Sequence, residues 1–148
     1  MKTNTVRIIL ALASITFSAL PLAGVQKSGG GNPLTGTSWQ LIKFQGPDER
    51  NFSPDDRSKY TITFGRNGKV TARVDCNRAT STWKKNANGE LQFGSWDRTN
   101  AKCGPQSLHD QIVNEGANPQ KFSIKDGHLF LSGMEAGGYY ELEPIPKP

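Results

Sequence analysis

The feature of the sequence that most constrains the fold is a pair of alternating segments on either side of the dipeptide Asn67-Gly68. Apolar side chains occupy every second position in both segments, which is the period of a β-strand with one buried face. Asn-Gly is a favoured hairpin turn because both residues tolerate positive φ. Residues 59–74 are therefore predicted to form an antiparallel hairpin, and continuing the alternation places Cys76 on its inward face. That face is predicted to comprise Tyr60, Ile62, Phe64, Val70, Ala72 and Val74.

Short segments of the same kind continue along the chain. The turn dipeptide Asp126-Gly127 predicts a second hairpin, and further strands are expected at residues 34–41, 80–83, 90–93 and 137–142. Residues 45–57 are polar and predicted to be a loop. Pro105–Gly116 is the one predicted helix, with an apolar stripe of Leu108, Ile112 and Val113. About eight short strands and one helix predict a mainly β domain whose small antiparallel sheet curls and closes, since closure removes exposed edges.

The first 24 residues have the organisation of a secretory signal peptide. Lys2 and Arg7 precede the apolar residues 8–20, and small residues follow. A transmembrane anchor is the alternative, but a span needs about 20 apolar residues, and this segment ends at Pro21. Val25 stands where a bacterial lipoprotein has its lipidated cysteine, so no thioether can form there. We therefore predict an exported, periplasmic or secreted protein without a lipid or a membrane anchor after cleavage near residues 23–24.

The rest of the chain has the length and composition of one small domain. We expect a flexible leader at residues 25–33, the domain at residues 34–143 and a Pro-rich tail at residues 144–148. Removal of the signal leaves 16 basic and 13 acidic residues, a net charge of +3, and Lys84-Lys85 is the only basic doublet. Nucleic-acid binding requires a concentrated basic face, so nucleic acid is not an expected partner.

Cys76 and Cys103 are the two cysteines of the chain, and three roles are open to them. A catalytic thiol would need a base, such as His109 or His128, but the surroundings of Cys76 do not resemble those of cysteine hydrolases. A zinc site would use the same four residues, which lack the usual ligand spacing. A disulfide fits an exported protein with an even cysteine count. We favour the disulfide, whose 27-residue separation predicts a stabilisation of about 3.5 kcal/mol.

Several short motifs follow one another in an order that is typical of one family. They are Gly36-Thr37-Ser38-Trp39, Tyr60-Thr61-Ile62-Thr63-Phe64, Cys76-Asn77, Leu91-Gln92-Phe93-Gly94, Thr99 with Cys103, and Gly127 with Leu129 and Leu131. In this order the chain resembles the META domain, the HslJ-like group of bacterial envelope proteins, over most of residues 34–143. Asp75 replaces the glycine that usually precedes the first cysteine, and Ala101-Lys102 replaces the usual Met-Ala before the second.

The resemblance implies a small lipocalin-like β-barrel with a helix, and an association with envelope stress, drug tolerance or virulence. It implies no enzymatic chemistry, cofactor or metal. We accordingly predict a non-enzymatic, monomeric binding or interaction module of envelope homeostasis, whose partner is an unknown protein or a small apolar ligand. Two alternatives remain: a secreted enzyme inhibitor that acts through residues 45–57, and a hydrolase or thiol oxidoreductase that depends on Cys76.

Four residues are candidates for lining a ligand site. Trp39, Trp83 and Trp96 are candidates because the mouths of barrels hold small apolar ligands, although packing in the core or at the rim would also explain them. Asn77 is a candidate because it follows the first cysteine, although an asparagine after a strand more often satisfies nearby backbone groups. No catalytic, cofactor-binding or metal-binding residue is predicted.

Overall fold

The computed structural model describes residues 31–147, so the predicted signal peptide and most of the predicted leader lie outside the described residues. Within this range the chain forms ten strands, one α-helix and one 3-10 turn at Arg57–Lys59. The strands are β1 Thr37–Gln45, β2 Asn51–Phe52, β3 Tyr60–Phe64, β4 Lys69–Val74, β5 Asn77–Lys85, β6 Leu91–Phe93, β7 Asp97–Arg98, β8 Lys121–Lys125, β9 His128–Ser132 and β10 Tyr139–Pro144, and the helix α1 is His109–Glu115.

The strands form one antiparallel sheet that is nearly closed into a barrel, as predicted. Its order is β6-β5-β4-β3-β1-β10-β9-β8, with β2 beside β1 and β7 beside β5. The two ends of this order approach each other where the backbone N–H of Leu91 donates to the carbonyl of Gln120, at 2.7 Å, just before β8. The N-terminal and C-terminal parts of the domain meet at the centre of the sheet, where β1 pairs with both β3 and β10.

The predicted hairpin is present as β3 and β4, with Tyr60 opposite Val74 and Phe64 opposite Val70. In its turn, only Gly68 has a positive φ, 74°, while the side chain of Asn67 accepts a hydrogen bond from the backbone N–H of Lys69 at 3.1 Å. The second predicted hairpin is β8 and β9. Its turn has positive φ at both Asp126 and Gly127, as a two-residue hairpin turn requires.

The prediction that Cys76 continues the inward face of the hairpin is wrong. Strand β4 ends at Val74, and Asp75-Cys76 forms the two-residue turn to β5. Because Asp75 has a φ of 55°, the chain reverses there and the alternation stops. Cys76 is consequently exposed, and Asn77 is the buried residue.

Several elements differ from their predicted bounds because tertiary pairing extends or adds them. A bulge between Leu41 and Lys43 shifts the alternation of β1, so that Phe44, three residues after Leu41, is fully buried. The second half of β1 therefore does not show the alternation of every second residue that predicts a strand. Residues 45–57 contain β2, which pairs with β1, as well as the start of the 3-10 turn. The helix is shorter than predicted, and β10 continues to Pro144 at the start of the predicted tail.

Large side chains fill the core of the barrel. Phe64 and Val70 are fully buried there, and the ring of Phe64 meets Trp83 edge-on with centroids 4.9 Å apart. On the neighbouring strands β1 and β10, Phe44 stacks on Tyr140 with ring centroids 4.8 Å apart. Within residues 31–147, the buried hydrophobic residues are Leu34, Trp39, Leu41, Phe44, Tyr60, Phe64, Val70, Trp83, Leu91, Leu129, Leu131, Met134, Tyr140 and Leu142.

Candidate functional site

An apolar cavity of about 170 Å³ lies between the inner face of the barrel and helix α1. Ala72 and Ala79 face each other on β4 and β5, and both contribute to its wall. Their short side chains leave space, whereas the larger side chains of Val70 and Trp83 are buried in the core further along the same two strands. The barrel contributes Leu41, Tyr60, Thr61, Ile62, Ala72, Val74, Ala79, Leu131, Tyr140 and Leu142, and the remaining wall comes from Phe93, Trp96, Arg98, Ile112, Val113 and residues 116–119.

Two tyrosines of the barrel hold helix α1 over this cavity. The hydroxyl of Tyr60 accepts a hydrogen bond from the backbone N–H of Leu108 at 3.0 Å, at the start of the helix. The hydroxyl of Tyr140 donates to the carbonyl of Gly116 at 2.7 Å, at its end. A seven-residue helix is not stable alone in water. The position of α1 therefore depends on these contacts and on its apolar packing against the barrel.

The contact between Tyr140 and the end of the helix is close enough to require glycine at residue 116. A Cβ placed there would overlap the Tyr140 hydroxyl. The hydroxyl itself is deeply buried, and burial raises the pKa of Tyr140 above its ordinary value because a buried phenolate would lose its hydration. The residue is therefore a neutral hydrogen-bond donor at neutral pH.

The disulfide between Cys76 and Cys103 ties the segment before α1 to the β4–β5 turn. The two Cα atoms are 5.7 Å apart, and no free cysteine is present in the described chain. Asn77 reinforces this link. Its amide oxygen accepts from Thr99 Oγ1 at 2.9 Å and from the Ala101 backbone N–H at 2.7 Å, and its amide nitrogen donates to the Ala101 carbonyl at 2.9 Å. Asn77 thus positions the approach to the helix, and it does not line the cavity.

The three tryptophans have different positions relative to the cavity. Trp39 and Trp83 are buried in the core, and their indole N–H groups donate to Thr37 Oγ1 at 2.8 Å and to the Gly65 carbonyl at 3.2 Å. Neither forms part of the cavity wall. Trp96 does, and of the four candidates named from the sequence it is the one that the structure brings to the site.

The solvent-exposed residues of the cavity wall are Arg98, Ala117 and Asn118, with half-buried Trp96 hydrogen-bonded to Asn118, so the mouth of the cavity lies here. The indole N–H of Trp96 donates to Asn118 Oδ1 at 3.1 Å, and its ring packs on Phe93 with centroids 5.5 Å apart. Arg98, on β7, is solvent-exposed and also contributes to the cavity wall. These residues lie where the segment after β6 faces the segment after α1, so a ligand could reach the cavity there without unfolding the barrel.

Sequence reasoning missed most of the wall because its residues come from eight strands, the helix and the segments next to them. The alternation predicted that Tyr60, Ile62, Ala72 and Val74 face inward, and these residues do line the cavity. It could not show that Tyr140 or Ile112 would meet them. A usable signal was Ala72, which lies between the larger inward residues Val70 and Val74, since a small inward residue leaves space unless an opposing side chain fills it.

The two histidines lie outside the cavity. His128 Nδ1 is 2.9 Å from Glu141 Oε1, and His109 Nδ1 is 3.0 Å from Asp110 Oδ1. In residues 31–147, no group of three or more His, Cys, Asp or Glu side chains is arranged to hold a metal ion. The same part of the chain contains no helix long and apolar enough to cross a membrane.

Comparison with known proteins gives the family. The profile of the META domain matches residues 32–142, which is most of the chain and includes the barrel, the disulfide and the helix. The chain belongs to the META domain family. Among curated proteins, none matches its sequence significantly.

Two solved structures have a similar fold. An NMR structure of a protein from Burkholderia xenovorans superposes with a TM-score of 0.63 at 16% identity, covering 88% of this chain and all of the other. A crystal structure of a DUF4847 family protein from Bacteroides vulgatus superposes with a TM-score of 0.53 at 14% identity, covering 78% of this chain and 97% of the other. At such low identity these structures establish the shared architecture of this META domain.

The structure explains one departure of this chain from the META pattern. Asp75 occupies the position where the family usually has a glycine, and its φ is 55°. Glycine adopts this left-handed conformation without steric cost, and aspartate is among the few other residues that tolerate it. The replacement therefore preserves the turn that carries Cys76.

Proposed function

We propose that this META domain is an exported, non-enzymatic binding module that holds a small apolar ligand in the cavity beneath helix α1. The observation that carries the proposal is the cavity itself. It lies between the barrel and a helix that hydrogen bonds hold at both ends, it opens to solvent on one side, and its wall is almost wholly apolar. Pockets of this kind, with a few polar groups at the edge, are typical of small-molecule sites.

The volume limits the size of the ligand. An engineered cavity of roughly 150 Å³ in another protein binds benzene, and the cavity here has about 170 Å³. A single aromatic ring with a short substituent, or an aliphatic chain of comparable size, would occupy the space. A lipid with a long acyl chain would not fit without opening the helix.

A role in the cell envelope is part of the proposal and has two supports. Disulfides persist in oxidising compartments such as the periplasm. The Cys76–Cys103 bond fixes the segment that leads into helix α1, which covers the cavity. Residues 1–24 have the pattern of a secretory signal. With both sulfurs in the bond, Cys76 has no thiolate to act as a nucleophile, which favours binding over thiol chemistry.

The direct test is to titrate the oxidised protein with 2-phenylethanol and follow its amide resonances by NMR. We expect saturable shifts concentrated on the cavity wall. The variant Ala72→Ile should fill the space and weaken binding by roughly tenfold or more, since it adds three carbons to the cavity wall. Thr71→Ile is the matched control, because Thr71 is the exposed neighbour on the outer face of β4. Absence of saturable shifts in the folded protein would refute the proposal, as would equal binding by both variants.

A further inference from the structure

Arg98 is held at the cavity by strand pairing. In β7, Arg98 lies opposite Ala79 of β5, and neighbouring Asp97 lies opposite Thr80. Directly paired residues project to the same face of a sheet. Since Ala79 belongs to the cavity wall, Arg98 projects to the cavity side and Asp97 to the outside. The guanidinium group therefore stands at the boundary between the apolar interior and water.

The charge of Arg98 is not matched by the protein. Among the described residues that line the cavity, it is the only arginine or lysine, and none of them is an aspartate or glutamate. Arg50 and Arg57 form ion pairs with Asp48 and Glu143, whereas Arg98 makes no ion pair or side-chain hydrogen bond with any residue in the range 31–147. A ligand anion at the mouth would meet a cation without competition from an internal carboxylate.

Asn118 offers a second donor in the same wall. Its amide oxygen is occupied by the indole N–H of Trp96. Its two amide N–H groups make no hydrogen bond with residues 31–147 and remain available. The polar groups of the mouth are thus the guanidinium of Arg98 and the amide N–H groups of Asn118. Both are hydrogen-bond donors, because the amide oxygen of Asn118 already accepts from Trp96.

We propose that the ligand is a small apolar carboxylate, with its hydrocarbon part in the cavity and its anionic head bound by Arg98 at the mouth. This inference rests on the proposed function and specifies its ligand class. The planar guanidinium matches a carboxylate with two parallel N–H donors, which gives the ligand an orientation as well as affinity. Phenylacetate has a suitable size and chemistry to serve as the probe.

The experiment compares phenylacetate with 2-phenylethanol, which has the same ring and methylene but a neutral head. Both are titrated by NMR at pH 7, where a carboxyl group is ionised. We expect the wild-type protein to bind phenylacetate roughly fivefold or more tightly than 2-phenylethanol. A difference of this size is what a partly exposed ion pair contributes. Arg98→Gln should remove this preference, so that phenylacetate and 2-phenylethanol bind the variant with similar affinity. Arg98→Lys should retain part of it.

Arg78→Gln is the matched control, because Arg78 is exposed on the outer face of β5, next to Ala79 in the sequence. It removes the same charge from the protein, and the preference for phenylacetate should persist. The carboxylate inference is overturned, and the proposed function stands, if the protein binds 2-phenylethanol at least as tightly as phenylacetate. The same conclusion follows if Arg98→Gln and Arg78→Gln change the preference for phenylacetate equally. If neither compound binds the folded protein, both proposals fail.

Discussion

At the scale of single residues, Tyr140 links the barrel, the cavity and the helix. Its ring packs on Phe44 and borders the cavity, and its hydroxyl donates to the Gly116 carbonyl. Replacement by phenylalanine would leave that buried carbonyl without its donor. We expect Tyr140→Phe to reduce the free energy of unfolding by about 1–2 kcal/mol at pH 7, and chemical denaturation measures this change.

Tyr140 also predicts a dependence on alkaline pH. Its pKa is raised in the folded protein, whereas an unfolded tyrosine ionises near pH 10. The contribution of Tyr140 to the free energy of unfolding is therefore fully present below pH 10. It is lost as the pH rises further, by about 1.4 kcal/mol per pH unit. Tyr140→Phe should flatten the decline in stability between pH 10 and pH 12. Tyr139→Phe is the control, and a flattening of the same size in that variant would contradict the assignment.

Asp75 provides a second prediction at the residue scale. Its φ of 55° is tolerated by aspartate and glycine but is unfavourable for a β-branched residue. We expect Asp75→Val to lower the free energy of unfolding by about 1–2 kcal/mol, and Asp75→Gly to remain within about 1 kcal/mol of the wild type. Urea denaturation measures both. Thr71→Val, on an extended strand, is the control and should have little effect; an equally mild Asp75→Val variant would show that the turn conformation is not required.

At the scale of elements, the segment between β7 and α1 depends on the disulfide and Asn77 more than on regular structure. The double variant Cys76→Ser/Cys103→Ser should lose about 3.5 kcal/mol of stability, since the bond closes a loop with a separation of 27 residues. The loss of order should be local at first, because β3 and β4 are paired on both sides.

Hydrogen exchange distinguishes this local effect from a uniform one. In the double variant, amides of α1 should lose more protection than amides of β3 and β4, since the tether of the helix is gone while the centre of the sheet is unchanged. A uniform loss of protection would mean that the disulfide acts only on the global equilibrium. Addition of reductant to the wild-type protein should reproduce the behaviour of the variant.

At the scale of the whole molecule, the barrel has a seam between β6 and β8. One backbone hydrogen bond, from Leu91 to Gln120, joins the two ends of the strand order. Lys121 and Lys125 are exposed on β8, and charged side chains on an edge strand oppose pairing with another chain. The seam is therefore an open edge of the sheet that remains compatible with a monomer.

This seam predicts an order of local stability across the barrel. Backbone amides of β8 should exchange with solvent faster than those of β1, which is paired on both sides. Native-state hydrogen exchange at low denaturant measures the difference. Replacement of Lys121 and Lys125 by valine should promote association, observed as a rise in sedimentation coefficient with concentration, while the outer-face pair Thr71→Val and Thr80→Val should not. Equal exchange in β8 and β1 would contradict an open seam.

The sequence alone determined the antiparallel β architecture and the two hairpins, and it favoured a disulfide with Cys103 among three roles for Cys76. These features depend on short-range information: alternation over a few residues, turn dipeptides, and a cysteine count with only one intramolecular pairing. The apolar stripe of residues 105–116 predicted the helix, and the resemblance to the META domain added the expectation of a lipocalin-like barrel. The disulfide between Cys76 and Cys103 confirms the favoured interpretation of the two cysteines. The alternation of β4, however, does not extend to Cys76, because Asp75 adopts a left-handed conformation and ends the strand.

Only the tertiary structure decided where the cavity lies and which residues border it. Ala79, Ile112 and Tyr140 are far apart in the sequence, and their meeting depends on closure of the barrel and on the tether that places α1 over it. From the sequence, each of the three tryptophans was a candidate for lining a pocket. Packing buries Trp39 and Trp83 in the core, and Trp96 lines the cavity. A cavity is the volume that packing leaves empty, so it depends on all the long-range contacts together and has no local pattern in the sequence.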